Sequence, residues 1–101
     1  MMTPVCRYGI DVPVGYRLRD GGRVVEIGEG RALDISSGGV LLRAEHLLTP
    51  EMEIELLIAW PARLNSAADL TLRVCGRTAG IEDGCTAVSI LSWMVESTLA
   101  D

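Results

Sequence analysis

The chain is organised around a polar, glycine-ended turn, Asp34-Ile35-Ser36-Ser37-Gly38-Gly39. Apolar segments flank this turn at residues 31–33 and 40–42. Asp and Ser side chains can bond the backbone two residues further on, and glycine tolerates conformations that other residues avoid. The stretch, called the elbow below, therefore predicts either a β-turn that serves the fold alone or a loop that faces a ligand.

Short β-strands are predicted before the elbow. Residues 12–19 alternate apolar and polar side chains, which is the period of a half-buried strand. Asp20-Gly21-Gly22 is a strong turn signal, after which residues 23–27 return as a short hairpin arm. Gly28-Glu29-Gly30 is expected to break that arm. Residues 31–35 then form a further short strand that enters the elbow.

Two more strands are predicted after the elbow, over residues 38–43 and 51–60. The second has the clearest pattern, because its larger apolar residues recur at every other position and so share one face. These residues are Met52, Ile54, Leu56, Ile58 and Trp60. Pro61 is expected to end this strand, since proline cannot donate to the ladder. Residues 62–68 follow as a loop.

The remaining sequence predicts a hairpin and a closing helix. Residues 70–81 and 85–91 flank the turn Glu82-Asp83-Gly84, and Ser92 is a candidate N-cap for a short helix over 93–99. Short strands joined by tight turns indicate an antiparallel sandwich or a small barrel, and closure into a barrel would remove exposed edges. We expect a lead-in over residues 1–11 and a β-barrel domain with a C-terminal helix over residues 12–101.

Composition limits the possible functions. A chain of 101 residues that is 49% hydrophobic suits one folded domain with one core. Nine basic and fourteen acidic residues give a net charge of −5, which argues against binding to nucleic acid polymers or acidic membranes. Three cysteines without a CxxC pair, short apolar runs and no signal pattern predict a cytoplasmic protein without membrane insertion.

The elbow matches a known family motif, [D/N]-x-S-x-x-G, through Asp34, Ser36 and Gly39. On this motif and the order of the predicted strands, residues 6–95 resemble the PilZ domain, the bacterial receptor module for cyclic di-GMP. The resemblance implies a mainly all-β fold, a small six-stranded antiparallel β-barrel of PilZ type with a C-terminal helix. The family's second motif is R-x-x-x-R before the first strand. Arg7 matches its second arginine, whereas Thr3 stands in place of the first.

The resemblance also implies roles for four residues at a cyclic di-GMP site. Asp34 would accept hydrogen bonds from a guanine edge, and Ser36 would add a hydroxyl. Gly39 would keep the loop open, and Arg7 would contact a phosphate or a guanine. Loss of a charge-assisted partner costs about 1.5–3 kcal/mol, so the residue Thr3 predicts weak binding.

Two functions follow from these observations. The first is a non-enzymatic receptor for cyclic di-GMP, which acts as a signalling ligand and not as a cofactor. The alternative is a degenerate PilZ-like adaptor that binds a protein effector partner and does not bind the nucleotide. No catalytic residues and no metal ligands are predicted, because His46 is the only histidine and has no Cys or His at ligand spacing. Arg31, just before the elbow, could assist the ligand or pair with Glu29.

Overall fold

The computed structural model describes residues 8–64 and 68–99, and the regular structure within these ranges is entirely β. It consists of six strands in one sheet. They are β1 (Tyr8–Asp20), β2 (Arg23–Ile35), β3 (Gly39–Arg43), β4 (Glu53–Leu64), β5 (Ala68–Glu82) and β6 (Cys85–Leu99).

The sheet closes on itself as a barrel with the strand order β1-β2-β3-β6-β5-β4. Every pairing is antiparallel, and the β1–β4 ladder, which runs from Val14↔Ile58 to Arg19↔Glu53, completes the closure. The predicted all-β class and six-stranded antiparallel barrel are therefore confirmed. No helix in the described ranges has the length and hydropathy to cross a membrane.

Alternation along the strands fills the barrel with aliphatic side chains. Residues at every other position of β1 and β4 point inward and are almost fully buried, as the period of two requires. The core also receives Leu48 from the connection between β3 and β4. Its buried members are Val14, Tyr16, Leu18, Ala32, Ile35, Val40, Leu42, Leu48, Ile54, Leu56, Ile58, Leu72, Val74 and Val88.

The predicted break at residues 28–30 is wrong, because β2 runs without interruption from Arg23 to Ile35. The two glycines are needed for close contacts and not for a turn. A Cβ at Gly28 would lie 2.5 Å from the hydroxyl oxygen of Tyr16, and a Cβ at Gly30 would meet the carbonyl oxygen of Arg43. Both glycines thus let neighbouring groups pack against an extended backbone.

The predicted end of β4 at Pro61 is also wrong. The strand continues to Leu64, and its register with β5 shifts between the pairs that involve Trp60 and Arg63. A bulge of this kind leaves residues out of the regular ladder, so the strand tolerates a proline that donates no hydrogen bond.

The predicted C-terminal helix is not found, because residues 92–99 continue β6. The register shifts where Ile90 pairs with Gly76 and Ser92 pairs with Cys75, which leaves Leu91 as an extra residue. Beyond this bulge, Trp93 pairs with Val74. The continuous ladder along β5 supplies partners that outweigh the local N-cap signal of Ser92.

Two buried threonines hold the connection between β3 and β4 against the barrel. The Thr78 hydroxyl donates to the Thr49 carbonyl at 2.6 Å and accepts from the Met52 amide at 2.9 Å. The Thr86 hydroxyl accepts from the Leu48 amide at 3.1 Å. Because each side chain is 1% exposed, these bonds satisfy polar groups that water cannot reach.

Candidate functional site

The elbow connects β2 to β3 and is tied to the barrel by backbone hydrogen bonds. The Ser36 amide donates to the Gly39 carbonyl at 2.9 Å, and the Ser36 hydroxyl approaches the same oxygen at 3.4 Å. The Ile90 amide of β6 donates to the Gly38 carbonyl at 3.0 Å. These bonds fix the turn without a ligand, so the hydroxyl of Ser36 has a structural contact of its own.

The two elbow glycines have different surroundings. A Cβ at Gly39 would lie 3.1 Å from the carbonyl oxygen of Val88, so this glycine lets β3 approach β6 closely. A Cβ at Gly38 would meet nothing within 4 Å, and the residue is exposed. Neither glycine is among the described residues with positive φ. The resemblance implies that Gly39 keeps the loop open, and of the two glycines it is Gly38 that has open space beside it.

Asp34 lies on the outer face of the barrel, at the end of β2 where the elbow begins. Its neighbour Ile35 points into the core, so alternation directs the Asp34 side chain outward. Asp34 pairs with Gly9 of β1 on one side and with Leu41 of β3 on the other. The carboxylate is half-buried and has no hydrogen-bond or ion-pair partner among the described residues.

The chain enters β1 directly beside this carboxylate. Tyr8 pairs with Ile35, and Gly9 pairs with Asp34. Arg7, the fourth predicted ligand residue, lies outside the described residues. The structure thus brings Asp34, Ser36 and Gly39 together in one loop, next to the strand that follows the lead-in.

Two arginines that are paired across β2 and β3 lie on the same outer face. Arg31 pairs with Arg43, and both are exposed. Arg31 bonds the carboxylate of Asp11 through Nε and its carbonyl through Nη2 at 2.8 Å, instead of pairing with Glu29. The hydrogen bond from Arg31 lowers the pKa of Asp11, and the charge of Arg43 adds to this effect.

Arg43 is the functional candidate that sequence reasoning missed. Its guanidinium has no ion pair among the described residues, and it lies on the strand next to Asp34, two positions beyond Leu41. The β3 sequence carried no alternation signal for it, because Val40, Leu41 and Leu42 are all apolar and all buried, so the place of Arg43 follows from the register with β2. An unpaired arginine at this place can receive a phosphate.

An apolar cleft of about 400 Å³ lies on the inner side of the elbow. Ser36 and Ser37 form one wall, and the opposite walls come from β5 and β6. The lining side chains are Ile35, Ser36, Ser37, Leu70, Leu72, Ile90, Trp93 and Val95. The sequence placed Trp93 on a helix, and its position here depends on the extension of β6.

A network of hydrogen bonds and charges is centred on Glu26, which lies in the first half of β2, away from the elbow. Its Oε2 accepts a 2.6 Å hydrogen bond from the Tyr16 hydroxyl and lies 2.8 Å from Nε2 of His46. The Leu47 carbonyl, 3.1 Å from Nδ1, is the main cause of a raised pKa of His46, and Glu26 adds to it. This network links the β3–β4 connection to the first hairpin.

The described part of the chain contains no group of three or more His, Cys, Asp or Glu side chains that could hold a metal ion. Comparison of the chain with protein-family models, with curated proteins and with solved structures gives no match. The candidate site therefore rests on its own geometry: around one turn lie an open glycine and a carboxylate and an arginine that have no ion pair among the described residues.

Proposed function

We propose that this protein is a cytoplasmic, non-enzymatic receptor domain for cyclic di-GMP, similar to PilZ domains. The observation that carries the proposal is the position of the Asp34-x-Ser36-x-x-Gly39 motif. It lies at the β2–β3 turn of a closed six-stranded antiparallel barrel, beside the strand that follows Arg7. A carboxylate there that has no partner within residues 8–64 and 68–99 is suited to the N1–H and N2–H₂ edge of a guanine.

The charges around the elbow suit the rest of the ligand. Cyclic di-GMP has two phosphates, each with one negative charge, and a protein with a net charge of −5 must bind them through local arginines. Arg43 has no ion pair in the part of the chain that the structure describes, whereas Arg31 already bonds Asp11. Arg7 supplies the second positive charge from the lead-in. Thr3 cannot supply a third, which is why we expect weak affinity.

Isothermal titration calorimetry with cyclic di-GMP tests the proposal. Asp34→Asn keeps the size of the side chain and removes its charge, so it should weaken binding about tenfold or more. Arg43→Ala and Arg7→Ala should each weaken binding by a similar factor. Glu29→Gln is the matched control, because it removes an exposed carboxylate from the same strand at a distance from the elbow.

Two results would contradict the receptor proposal. One is the absence of heat at high micromolar ligand. The other is binding that Asp34→Asn leaves unchanged. GMP, added in a parallel titration, should bind far more weakly, since it offers one guanine and one phosphate group instead of two of each.

The second candidate is an adaptor that keeps the barrel but does not bind the nucleotide. Thr3 in place of an arginine favours it, because this substitution removes a charge that the resemblance assigns to the ligand. An adaptor predicts that Asp34→Asn changes neither the fold nor the association of the protein with an effector partner. Loss of that association in the variant would count against the adaptor.

A further inference from the structure

Among the described residues, the second half of β6 pairs with another strand on one side only, which leaves it a free edge. β3 pairs with β6 only from Thr86 to Ser89, and the last bond across this seam joins the Ile90 amide to Gly38. From residue 91 onward, β6 pairs with β5 alone within the described part of the chain. The backbone groups on the other side are therefore open to a further strand.

The side chains on this edge are apolar and exposed on both faces of the sheet. Leu91 is 71% exposed, Trp93 62%, Met94 55% and Val95 52%. The first charged residue after them is Glu96, whose carboxylate lies 3.4 Å from Nε of Arg73 in the same chain. The segment 91–95 thus lacks the charges and prolines that normally protect an edge strand.

The other free edges of the barrel carry such protection. The open side of β2 at residues 23–30 also exposes Val24, Val25 and Ile27, but Arg23 and Glu29, both exposed, place charges along it. The end of β4 beyond its β1 ladder contains Pro61. The start of β1 contains Asp11 and Pro13. Residues 91–95 differ from these three stretches because they contain neither a charge nor a proline, which points to an edge that is covered in the functional protein.

We propose that two copies of this chain pair through the edges of β6, antiparallel and about a two-fold axis at Met94. In this register Trp93 lies opposite Val95 of the second copy, an aromatic and β-branched pair that stabilises antiparallel sheets. Met94 lies opposite Met94 of the second copy on the other face. The apolar clefts of the two copies then adjoin across the axis.

The charges agree with a second copy as the occupant. Glu96 lies opposite Ser92 of the second copy, so no two like charges face each other across the new ladder. The pairing covers the same edge in both molecules and leaves no second copy of that edge exposed. Association therefore stops at a dimer and does not continue into a filament. A ladder of this length forms a small interface, and we expect weak, concentration-dependent dimerisation.

Sedimentation equilibrium from about 5 μM to about 1 mM protein tests the pairing, over the range expected for a weak interface. The principal variant is Met94→Glu, which places two carboxylates opposite each other at the two-fold axis of the dimer. Within each monomer, Arg73 is the β5 partner of residue 94, so it lies beside the new carboxylate. The substitution should raise the dissociation constant of the dimer about tenfold or more. The control is Val25→Glu, because Val25 is 54% exposed on the β2 edge and the change in net charge is identical.

Disulfide trapping provides a second measurement in a Cys75→Ser background. Met94→Cys should give a covalent dimer, because residues at the axis of an antiparallel pair have Cβ atoms about 4.5–5.5 Å apart. Val25→Cys should not exceed the level of the background protein. Thermal unfolding followed by circular dichroism checks that each variant is folded. If Met94→Glu does not fold, the disulfide trapping still tests the pairing.

The dissociation constant of the dimer should depend on salt. Each copy has a net charge of −5, so added salt should strengthen this apolar association by screening repulsion. A monomer throughout the concentration range would overturn the proposal. So would species larger than a dimer, or equal effects of Met94→Glu and Val25→Glu.

Discussion

The phenol ring of Tyr16 occupies the space that a side chain at residue 28 would need. Its hydroxyl oxygen lies 2.5 Å from the position of a Cβ at Gly28, and two ring carbons are within 2.8 Å of it. Tyr16 and Gly28 are direct partners in the β1–β2 ladder. The ring covers the glycine and reaches Glu26, so one aromatic side chain both fills the core and satisfies a polar contact.

Gly28→Ala should therefore destabilise the protein. The new methyl group must displace a buried ring, and overpacking of this kind costs about 1–3 kcal/mol. Urea unfolding measures the change in the free energy of unfolding. Gly15→Ala is the control, because a Cβ at Gly15 meets nothing within 4 Å on an extended strand. Equal effects of the two substitutions would show that the Tyr16 contact is not the cause.

Gly76→Ala should be the more damaging substitution. A Cβ there would collide with the carbonyl oxygen of Ser89, which is backbone in the paired strand and cannot rotate away. We expect a loss of about 3 kcal/mol or more, at the upper end of overpacking costs. Thermal or urea unfolding provides the measurement, again with Gly15→Ala beside it. A loss smaller than that of Gly28→Ala would contradict this ranking.

The hydroxyl of Thr78 should contribute to stability through its bonds to the β3–β4 connection. Thr78→Val keeps the shape of the side chain but leaves the Thr49 carbonyl and the Met52 amide without this partner, at a cost of about 1–3 kcal/mol. Thr78→Ser retains the hydroxyl and should recover much of the loss, apart from the missing methyl group. Urea unfolding of the three proteins checks the order. Equal stability of the Val and Ser variants would mean that the hydroxyl is not the determinant.

Tyr16 should also make stability depend on alkaline pH. Burial, with the hydrogen bond to Glu26 as a second cause, raises the pKa of Tyr16 to about 12. In the unfolded chain a tyrosine titrates near about 10. The folded state thus holds the proton more tightly, so this stabilisation is complete below pH 10 and is lost as the pH rises from about 10 to 12.

The difference in unfolding free energy between the parent and Tyr16→Phe measures this effect. Between pH 8 and pH 11 the parent should lose stability more steeply than the variant, because the variant has no phenol at residue 16 to ionise. The parent and the variant share every other ionisable group, so the contributions of those groups cancel in the difference. Parallel curves for the two proteins would exclude Tyr16 as the source of the pH dependence.

The sequence by itself determined the all-β class, because alternation of side chains along a strand specifies which residues face the core. It left a sandwich and a small barrel as alternatives, and the β1–β4 pairing that closes the sheet decided for the barrel. Leu56 and Ile58 could be assigned to the interior from the alternation, and both are fully buried. The same local signals located the elbow, since Asp, Ser and Gly favour turns through their own backbone preferences. Asp34, Ser36 and Gly39 lie together because they are neighbours in the chain.

Tertiary structure decided what the glycines, Pro61 and Ser92 do. These residues carry strong local signals for breaks, ends and caps, but pairing with a neighbouring strand outweighed each signal. Gly28 is needed by Tyr16, which lies on another strand, and the β5 ladder keeps residues 92–99 extended. The position of Arg43 beside Asp34 depends on the β2–β3 register in the same way. Contacts between strands that are distant in sequence have no local signature, and the free edge of β6 follows from them alone.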